Sequence, residues 1–240
     1  MKEHSPKIII LDDEIDLTEM LSIELKDRGY VPKTVFNPKE FLKCFANEMA
    51  DLVIIDLRLP EIFGTDIITM LKNININIPP IIVITAYNDY PNYVLYNLGA
   101  EAIIYKPFEL KMLLHNVERL LTPLPERFQI NIEKITDYEG WIENLDSKEI
   151  HDILLGRGGF SLISSERYSI GTTVRFTLNF PQLNNQQGEG IGIIRWKMSS
   201  HESKFVNKYG IEFVNISDIL QKHLLIWINE TKPVQYIPYE

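Results

Sequence analysis

The stretch VIIDLRLP, from Val53 to Pro60, determines how the first half of the chain is interpreted. Three consecutive apolar residues lead directly into Asp56, which is typical of a strand that is covered on both faces and ends in a carboxylate. A charged group at the end of a buried strand is costly unless other groups compensate it. Those groups must come from elsewhere in the sequence, and their identity indicates what this carboxylate does.

Short apolar runs alternate with segments of helical length throughout residues 7–121. The runs are KIIIL (7–11), VPKTVF (31–36), DLVIID (51–56), PIIVIT (80–85) and AIIYK (102–106). Between them, one helix is predicted to end at Gly29, and another to begin at Asn37 as N-cap with Pro38 and Glu40 in its first turn. Five strand–helix pairs predict an α/β fold with a parallel sheet and helices on both of its faces.

A different pattern begins after TPLPER (122–127), whose two prolines cannot continue the preceding helix. The predicted organisation is a first domain over 1–121, a linker over 122–128 and a second domain over 129–240. Short alternating strands follow in the second domain, with GRGG (156–159) and PQLNNQQGEG (181–190) as turns or loops. Ser217 is the predicted N-cap of a terminal helix, so this domain is expected to be mostly β, closed or nearly closed.

Composition limits the function classes. The formal net charge is −9 and neither half has an excess of basic residues, so DNA binding is not expected. The single cysteine, Cys44, cannot form an internal disulfide and is predicted to be a small buried or half-buried helix residue. The start, MKEHSPK, lacks an apolar signal core, and no uncharged run approaches the roughly 20 residues that span a membrane. We expect a cytoplasmic protein without membrane contacts.

Polar residues follow four of the predicted strands at their carboxyl ends, where ligands of parallel sheets bind. They are Asp12, Asp13, Asp56, Thr85 and Lys106. Three carboxylates in one pocket repel each other by several kcal/mol at an effective dielectric of about 20. A hard divalent cation such as Mg²⁺ relieves this repulsion, and the lysine supplies a second counter-charge.

This set of groups suits phosphoryl transfer. A carboxylate can act as a nucleophile toward a phosphoryl group, and the reaction needs alignment and charge neutralisation more than acid–base help. A metal ion and a lysine beside the phosphoryl oxygens provide that neutralisation. The hydroxyl of Thr85 can donate to a phosphoryl oxygen only after transfer, so it can then pull on the loop that follows its strand.

Residues 7–121 resemble the receiver domain of bacterial two-component response regulators. The motifs are DDE (12–14), DLRLP (56–60), Gly64, TA (85–86) and KPF (106–108), in the order and spacing of that family. The resemblance implies a flavodoxin-like, doubly wound, five-stranded parallel sheet and transfer of a phosphoryl group from a sensor histidine kinase to Asp56. It implies no enzymatic activity beyond Mg²⁺-dependent self-phosphorylation and dephosphorylation.

The same resemblance assigns roles to individual residues. Mg²⁺ would be held by the carboxylates of Asp12, Asp13 and Asp56 and by the backbone carbonyl of Arg58. Thr85 and Lys106 would contact the phosphoryl group. One position departs from the family: the aromatic residue often found three residues before the lysine is Ile103 here, while Tyr105 adjoins the lysine.

Three tyrosines, Tyr90, Tyr93 and Tyr96, follow Thr85 at three-residue spacing. They either pack on neighbouring elements or form a contact surface for a partner or for a second copy in a homodimer.

The second half resembles a PilZ domain over about 153–217, which implies a six-stranded β-barrel that often binds cyclic di-GMP. Leu154 and Gly156 stand where that family has an Asp or Asn and a Ser in the ligand-binding turn. That family also has two arginines in the segment that precedes the barrel, and here Arg127 has no second arginine near it in that segment. Arg157 is the remaining candidate for a nucleotide contact. We therefore expect that the barrel is kept and the usual nucleotide contacts are lost.

The favoured hypothesis is a response regulator that relays its signal through a PilZ-like domain acting on an unknown protein partner. The alternative is a receiver-gated cyclic di-GMP effector, with Arg127 and Arg157 as candidate ligand contacts. An acid-nucleophile phosphatase is disfavoured because Arg58 stands where a second aspartate would have to act as acid. A transcription factor is disfavoured because no helix-turn-helix follows the linker.

Overall fold

The computed structural model describes residues 5–60, 62–74, 79–86, 90–128, 142–144, 151–180, 186–199 and 207–239. The chain divides into two compact units. The first comprises residues 1–91 and 98–122, and the second comprises residues 92–97 and 123–240. Within the described residues, no helix is both long and apolar enough to cross a membrane.

The first unit contains one sheet of five parallel strands. The strands are β1 (Lys7–Leu11), β2 (Val31–Val35), β3 (Leu52–Asp56), β4 (Ile81–Thr85) and β5 (Ala102–Tyr105), in the spatial order β2-β1-β3-β4-β5. This is the strand order of flavodoxin-like, doubly wound sheets. The predicted fold of the first half is therefore confirmed.

Helices alternate with these strands along the chain. They are α1 (Ile15–Asp27), α2 (Pro38–Asn47), α3 (Gly64–Ile74), α4 (Asn92–Leu98) and α5 (Leu110–Leu121). Both predicted helix boundaries are confirmed: Gly29 has a φ of +84° after α1, and the N–H of Glu40 donates to Oδ1 of Asn37 over 2.9 Å. Cys44 lies on α2 and is 9% exposed, as predicted.

The second unit is mostly β. A short helix, α6 (Leu124–Arg127), precedes β6 (Ile142–Asn144), β7 (His151–Leu155), β8 (Gly159–Ser164), β9 (Thr173–Phe180), β10 (Gln186–Ser199), β11 (Asn207–Ile216) and α7 (Asp218–Thr231). The strands form one sheet in the order β6-β9-β10-β11-β8-β7, antiparallel except for the parallel pair β6–β9. A second β domain with a C-terminal helix is therefore present, while its PilZ-like identity and closure into a barrel stay predictions.

Aromatic side chains dominate the core of this unit. The rings of Phe160, Phe176 and Phe213 lie 4.9 to 5.7 Å apart, and Leu220 and Leu224 of α7 pack into the same cluster. The predicted N-cap of α7 is confirmed, because the side chain of Ser217 accepts a hydrogen bond from the N–H of Leu220 over 3.4 Å.

The loop expected over 181–190 differs from the structure in its second part. Residues 181–185 lie outside the described residues, but β10 already begins at Gln186. Glycine serves close packing here rather than a turn: a Cβ on Gly188 would lie 2.5 Å from Cβ of Leu220, and one on Gly190 would lie 2.5 Å from Cζ of Phe176. At the expected linker, Phe128 is 1% exposed and belongs to the core of the second unit.

Candidate functional site

The carboxylates predicted to share a pocket are brought together at the carboxyl ends of β1 and β3. These strands are neighbours, and ligand oxygens of Asp12, Asp13 and Asp56 all lie within 4.8 Å of one another. Asp12 is 2% exposed and Asp56 is 4% exposed, whereas Asp13 is open to solvent. The parallel topology thus converts three separate sequence positions into one acidic pocket.

Lys106 neutralises part of this charge. Its Nζ lies 2.6 Å from Oδ2 of Asp56, 2.9 Å from Oδ2 of Asp12 and 2.6 Å from Oε1 of Glu14. Burial alone would lower the pKa of Lys106, but its hydrogen bonds to these three carboxylates outweigh burial and raise the pKa. The lysine therefore remains an ammonium ion throughout the ordinary pH range.

The charged form of Asp12, unlike that of Lys106, is disfavoured by its surroundings. Burial raises the pKa of its carboxyl group, and the hydrogen bonds from Lys106 and from the N–H of Glu14 offset this only in part. The charge of Asp56 raises the pKa of Asp12 further. Burial and the charge of Asp56 thus both disfavour the ionised form of Asp12, even beside the lysine.

Backbone geometry orients the carboxylates. The N–H of Arg58 donates to Oδ1 of Asp56, and the N–H of Glu14 donates to Oδ1 of Asp12, each over 2.8 Å. Asp56 thus has one oxygen held by a backbone amide and the other by Lys106. The start of α3 packs closely on the backbone of Asp56, and only glycine fits at position 64. A Cβ at this position would lie 2.5 Å from the carbonyl oxygen of Asp56.

Thr85 ends the strand next to Asp56 and is fully buried. Asp56 is paired in register with Ile84, so Thr85 lies one residue further toward the pocket edge on the neighbouring strand. The carbonyl of Thr85 accepts a hydrogen bond from the N–H of Lys106 over 2.7 Å, which ties the ends of β4 and β5 together.

One pocket residue, Glu14, was missing from the predicted site. It is the third residue of the DDE motif, which was the available signal, and its carboxylate contacts Lys106 although the side chain is 60% exposed. The carboxylates described in the pocket thus outnumber the ammonium of Lys106. Oxygen ligands of this kind are what Mg²⁺ takes in proteins, and the close approach of three carboxylates fits one such ion.

The two arginines proposed for nucleotide contacts lie in different elements. Arg127 ends α6. Arg157 lies in the turn between β7 and β8, where its N–H donates to the carbonyl of Gln235 over 3.0 Å and its Nε donates to the carbonyl of Val234 over 3.3 Å. Arg157 is therefore engaged by the C-terminal part of the chain.

Comparison with known proteins identifies a domain family in the first half of the chain. Residues 8–118 match the family described as "Response regulator receiver domain", so the predicted receiver domain is confirmed. Response regulator ArlR of Staphylococcus aureus (strain Mu50) is 32% identical over 131 residues, which are 54% of this chain and 59% of the relative. The chain thus spans about three fifths of the length of the curated relatives that it matches.

Two solved structures are also similar to part of this chain. The response regulator TrrA from Thermotoga maritima, in complex with Mg(2+)-BeF, is 31% identical and covers 48% of this chain and 98% of its own, with a TM-score of 0.45. The non-phosphorylated HemR receiver domain from Leptospira biflexa is 30% identical and covers 50% and 96%, with a TM-score of 0.46.

Proposed function

We propose that this chain, in which residues 8–118 form a response regulator receiver domain, accepts a phosphoryl group on Asp56 from a sensor histidine kinase. We further propose that the second domain relays the signal by binding a protein partner. The observation that supports this most is the geometry of Asp56. Its carboxylate is buried, oriented by a backbone amide and contacted by a single ammonium in a pocket with further carboxylates.

The transfer step follows from this arrangement. An oxygen of Asp56 attacks the phosphorus of a phosphohistidine, and the P–N bond breaks as the new O–P bond forms. The electron pair of the broken bond stays on the imidazole nitrogen, which takes a proton from solvent. A carboxylate nucleophile needs no general base, and Lys106 lies close enough to neutralise charge on the phosphoryl oxygens.

The pocket also supports Mg²⁺ as the cofactor. Asp12, Asp13, Asp56 and the backbone carbonyl of Arg58 would hold the ion, which neutralises charge on phosphoryl oxygens when bound. The hydroxyl of Thr85 would donate to a phosphoryl oxygen after transfer. Because that hydrogen bond exists only in the modified protein, it favours a different position of the chain that follows β4.

Incubation with acetyl phosphate and Mg²⁺, followed by intact-mass measurement, tests this function. The wild type should gain the mass of one phosphoryl group, and Asp56→Asn should gain none. Asp66→Asn is the matched control, since Asp66 is an exposed aspartate on α3, and it should behave as the wild type. An unmodified wild type, or a modified Asp56→Asn protein, would contradict the proposal.

The alternative is a receiver-gated effector of cyclic di-GMP. Its support is the position of Arg157 in the glycine-rich turn, where a guanidinium could bind a phosphate. The hydrogen bonds of Arg157 to Val234 and Gln235 count against it, since the C-terminal residues already take these donors. Calorimetric titration with cyclic di-GMP decides, and no heat at high micromolar ligand would exclude this alternative.

A further inference from the structure

The C-terminal residues that the structure describes lie, without helix or strand structure, against the GRGG turn of the second unit. We call this segment, Val234–Tyr239, the C-terminal strap. Its first three carbonyls accept hydrogen bonds from the turn: those of Val234 and Gln235 from Arg157, and that of Tyr236 from the N–H of Gly158 over 3.0 Å. Tyr236 is 1% exposed, so its side chain is packed as in a protein core.

The glycines of the turn leave the space that the strap occupies. A Cβ on Gly158 would lie 1.9 Å from the ring of Tyr236, and a Cβ on Gly156 would lie 2.5 Å from the carbonyl oxygen of Tyr236. Neither glycine has a positive φ, so the backbone conformation itself does not require glycine here. The turn therefore has room for the backbone and the aromatic ring of Tyr236 only because both positions are glycine.

A buried carboxylate accepts a hydrogen bond from the tyrosine of the strap. The hydroxyl of Tyr236 donates to Oε1 of Glu212 over 2.9 Å, and Nε of Arg195 donates to Oε2 of the same carboxylate over 2.6 Å. Glu212 is 2% exposed, so a peptide without a hydroxyl at this position would leave a buried acceptor unsatisfied. A peptide with tyrosine at this position is therefore expected to bind more tightly than one with phenylalanine.

The other end of the strap contacts residues of α4 that belong to the same unit. The ring of Tyr239 lies 4.5 Å from that of Tyr93 between centroids, and both rings lie about 6 Å from Trp196. The N–H of Tyr239 donates to Oδ1 of Asn97 over 3.4 Å, which is long for a hydrogen bond. Lys208 of β11 also holds this end, because its Nζ donates to the carbonyl of Tyr239 and lies 4.8 Å from the centroid of the ring. The strap is therefore held at Tyr236 by the turn, and at Tyr239 by α4 together with Trp196 and Lys208.

α4 begins at Asn92, seven positions after Thr85. A pull on the chain after β4, as in the proposed function, would therefore act on the helix that holds the distal end of the strap. Ring stacking and a long hydrogen bond both weaken steeply when the partners move apart. A displacement of α4 should loosen the strap from Tyr239 inward.

We propose that the GRGG turn is a docking site for a tyrosine-containing peptide of a partner protein. The strap fills this site while Asp56 is unmodified, and phosphorylation of Asp56 loosens it by moving α4 away from Tyr239. The inference rests on the proposed function for the phosphoryl dependence, while the binding site itself rests on the contacts of the strap.

A labelled peptide with the sequence KPVQYIPYE, residues 232–240, serves as the probe, and its binding to the full-length protein is measured by fluorescence anisotropy. Loading with beryllofluoride and Mg²⁺ should strengthen binding by about tenfold or more, which a modest population shift produces. A peptide with phenylalanine in place of the first tyrosine should bind more weakly. Tyr93→Ala should bind the probe without loading, and the matched variant Tyr90→Ala should behave as the wild type.

The outcomes separate this inference from the proposed function. If the protein gains a phosphoryl group by mass and yet binds the probe no better, the inference is overturned and the proposed function stands. If no phosphoryl group is gained, the proposed function fails, and probe binding by unloaded Tyr93→Ala still decides whether the turn is a docking site. Asn97→Ala, which removes only the acceptor for the N–H of Tyr239, replaces Tyr93→Ala should that variant not fold.

Discussion

Two groups of charged side chains in this molecule are built in opposite ways. In the receiver pocket, Lys106 is shared among three carboxylates and a fourth, that of Asp13, lies beside them. In the second unit, the carboxylate of Glu212 meets one guanidinium and one hydroxyl. The first arrangement leaves negative charge over, whereas the second satisfies both oxygens of a single charge.

The two arrangements suit different roles: the first suits a reactive site, and the second suits a structural contact. A matched buried pair is costly to break and has no remaining charge with which to bind a ligand. It therefore fixes the packing of the elements that carry it. An unmatched group of carboxylates is unfavourable by itself and becomes acceptable when a cation binds or a phosphoryl group reacts. The receiver domain contains a matched pair as well: Nζ of Lys72 lies 3.4 Å from Oε1 of Glu101, and both side chains are almost fully buried.

The largest effect on stability is expected when that matched pair is broken. Glu101→Ala removes the partner of Lys72 and the acceptor for the N–H of Ile81, so unfolding free energy should fall by about 3 to 5 kcal/mol. Glu19→Ala, at an exposed position of α1, should change it by no more than about 0.5 kcal/mol. Chemical denaturation measures both, and equal losses in the two variants would refute the distinction.

Loss of the pocket ammonium should affect chemistry most. Lys106→Ala is expected to slow phosphorylation by acetyl phosphate by about 10²- to 10³-fold, because charge on the phosphoryl oxygens loses a close counter-charge. Lys26→Ala, on the exposed side of α1, serves as the control with a wild-type rate. The time course of the intact mass gives both rates. A wild-type rate for Lys106→Ala would show that the lysine has no role in phosphoryl transfer.

A smaller effect is expected at Glu212. Tyr236→Phe removes a hydroxyl that donates to a buried carboxylate, which should cost about 1.5 to 3 kcal/mol of stability in the second unit. Tyr90→Phe is the matched control and should leave unfolding unchanged. If the two substitutions behave alike, the hydroxyl contributes no net stability.

The smallest effect is expected at Arg58, whose side chain has no part in the proposed metal site. Arg58→Ala keeps the backbone carbonyl, so its affinity for Mg²⁺ should match that of the wild type in calorimetry. A strong loss of affinity would show that the guanidinium shapes the pocket.

The receiver pocket could be predicted from sequence because each residue is fixed by a strand end. Asp56 ends β3, Asp12 follows β1 and Lys106 follows β5, and parallel topology places these ends at one edge. Glu14 escaped prediction because its exposed side chain reaches Lys106 by its own flexibility rather than by the position of its strand.

The contacts of the strap could not be predicted in this way. Arg157 and Val234 are 77 positions apart, and the strap has neither helical nor strand periodicity that would mark a partner. GRGG was predicted to be a turn, and the structure places the chain's own Tyr236 against it. The sequence pattern could not name the segment that packs on this turn.

A Mg²⁺ titration of receiver-domain stability tests most directly whether the surplus carboxylates are there to bind a cation. Wild type should be stabilised by about 2.7 kcal/mol when free Mg²⁺ exceeds its Kd about 100-fold, and Asp13→Asn should need far more Mg²⁺ for the same gain. Stability that does not respond to Mg²⁺, or that responds equally in Asp13→Asn, would contradict the account.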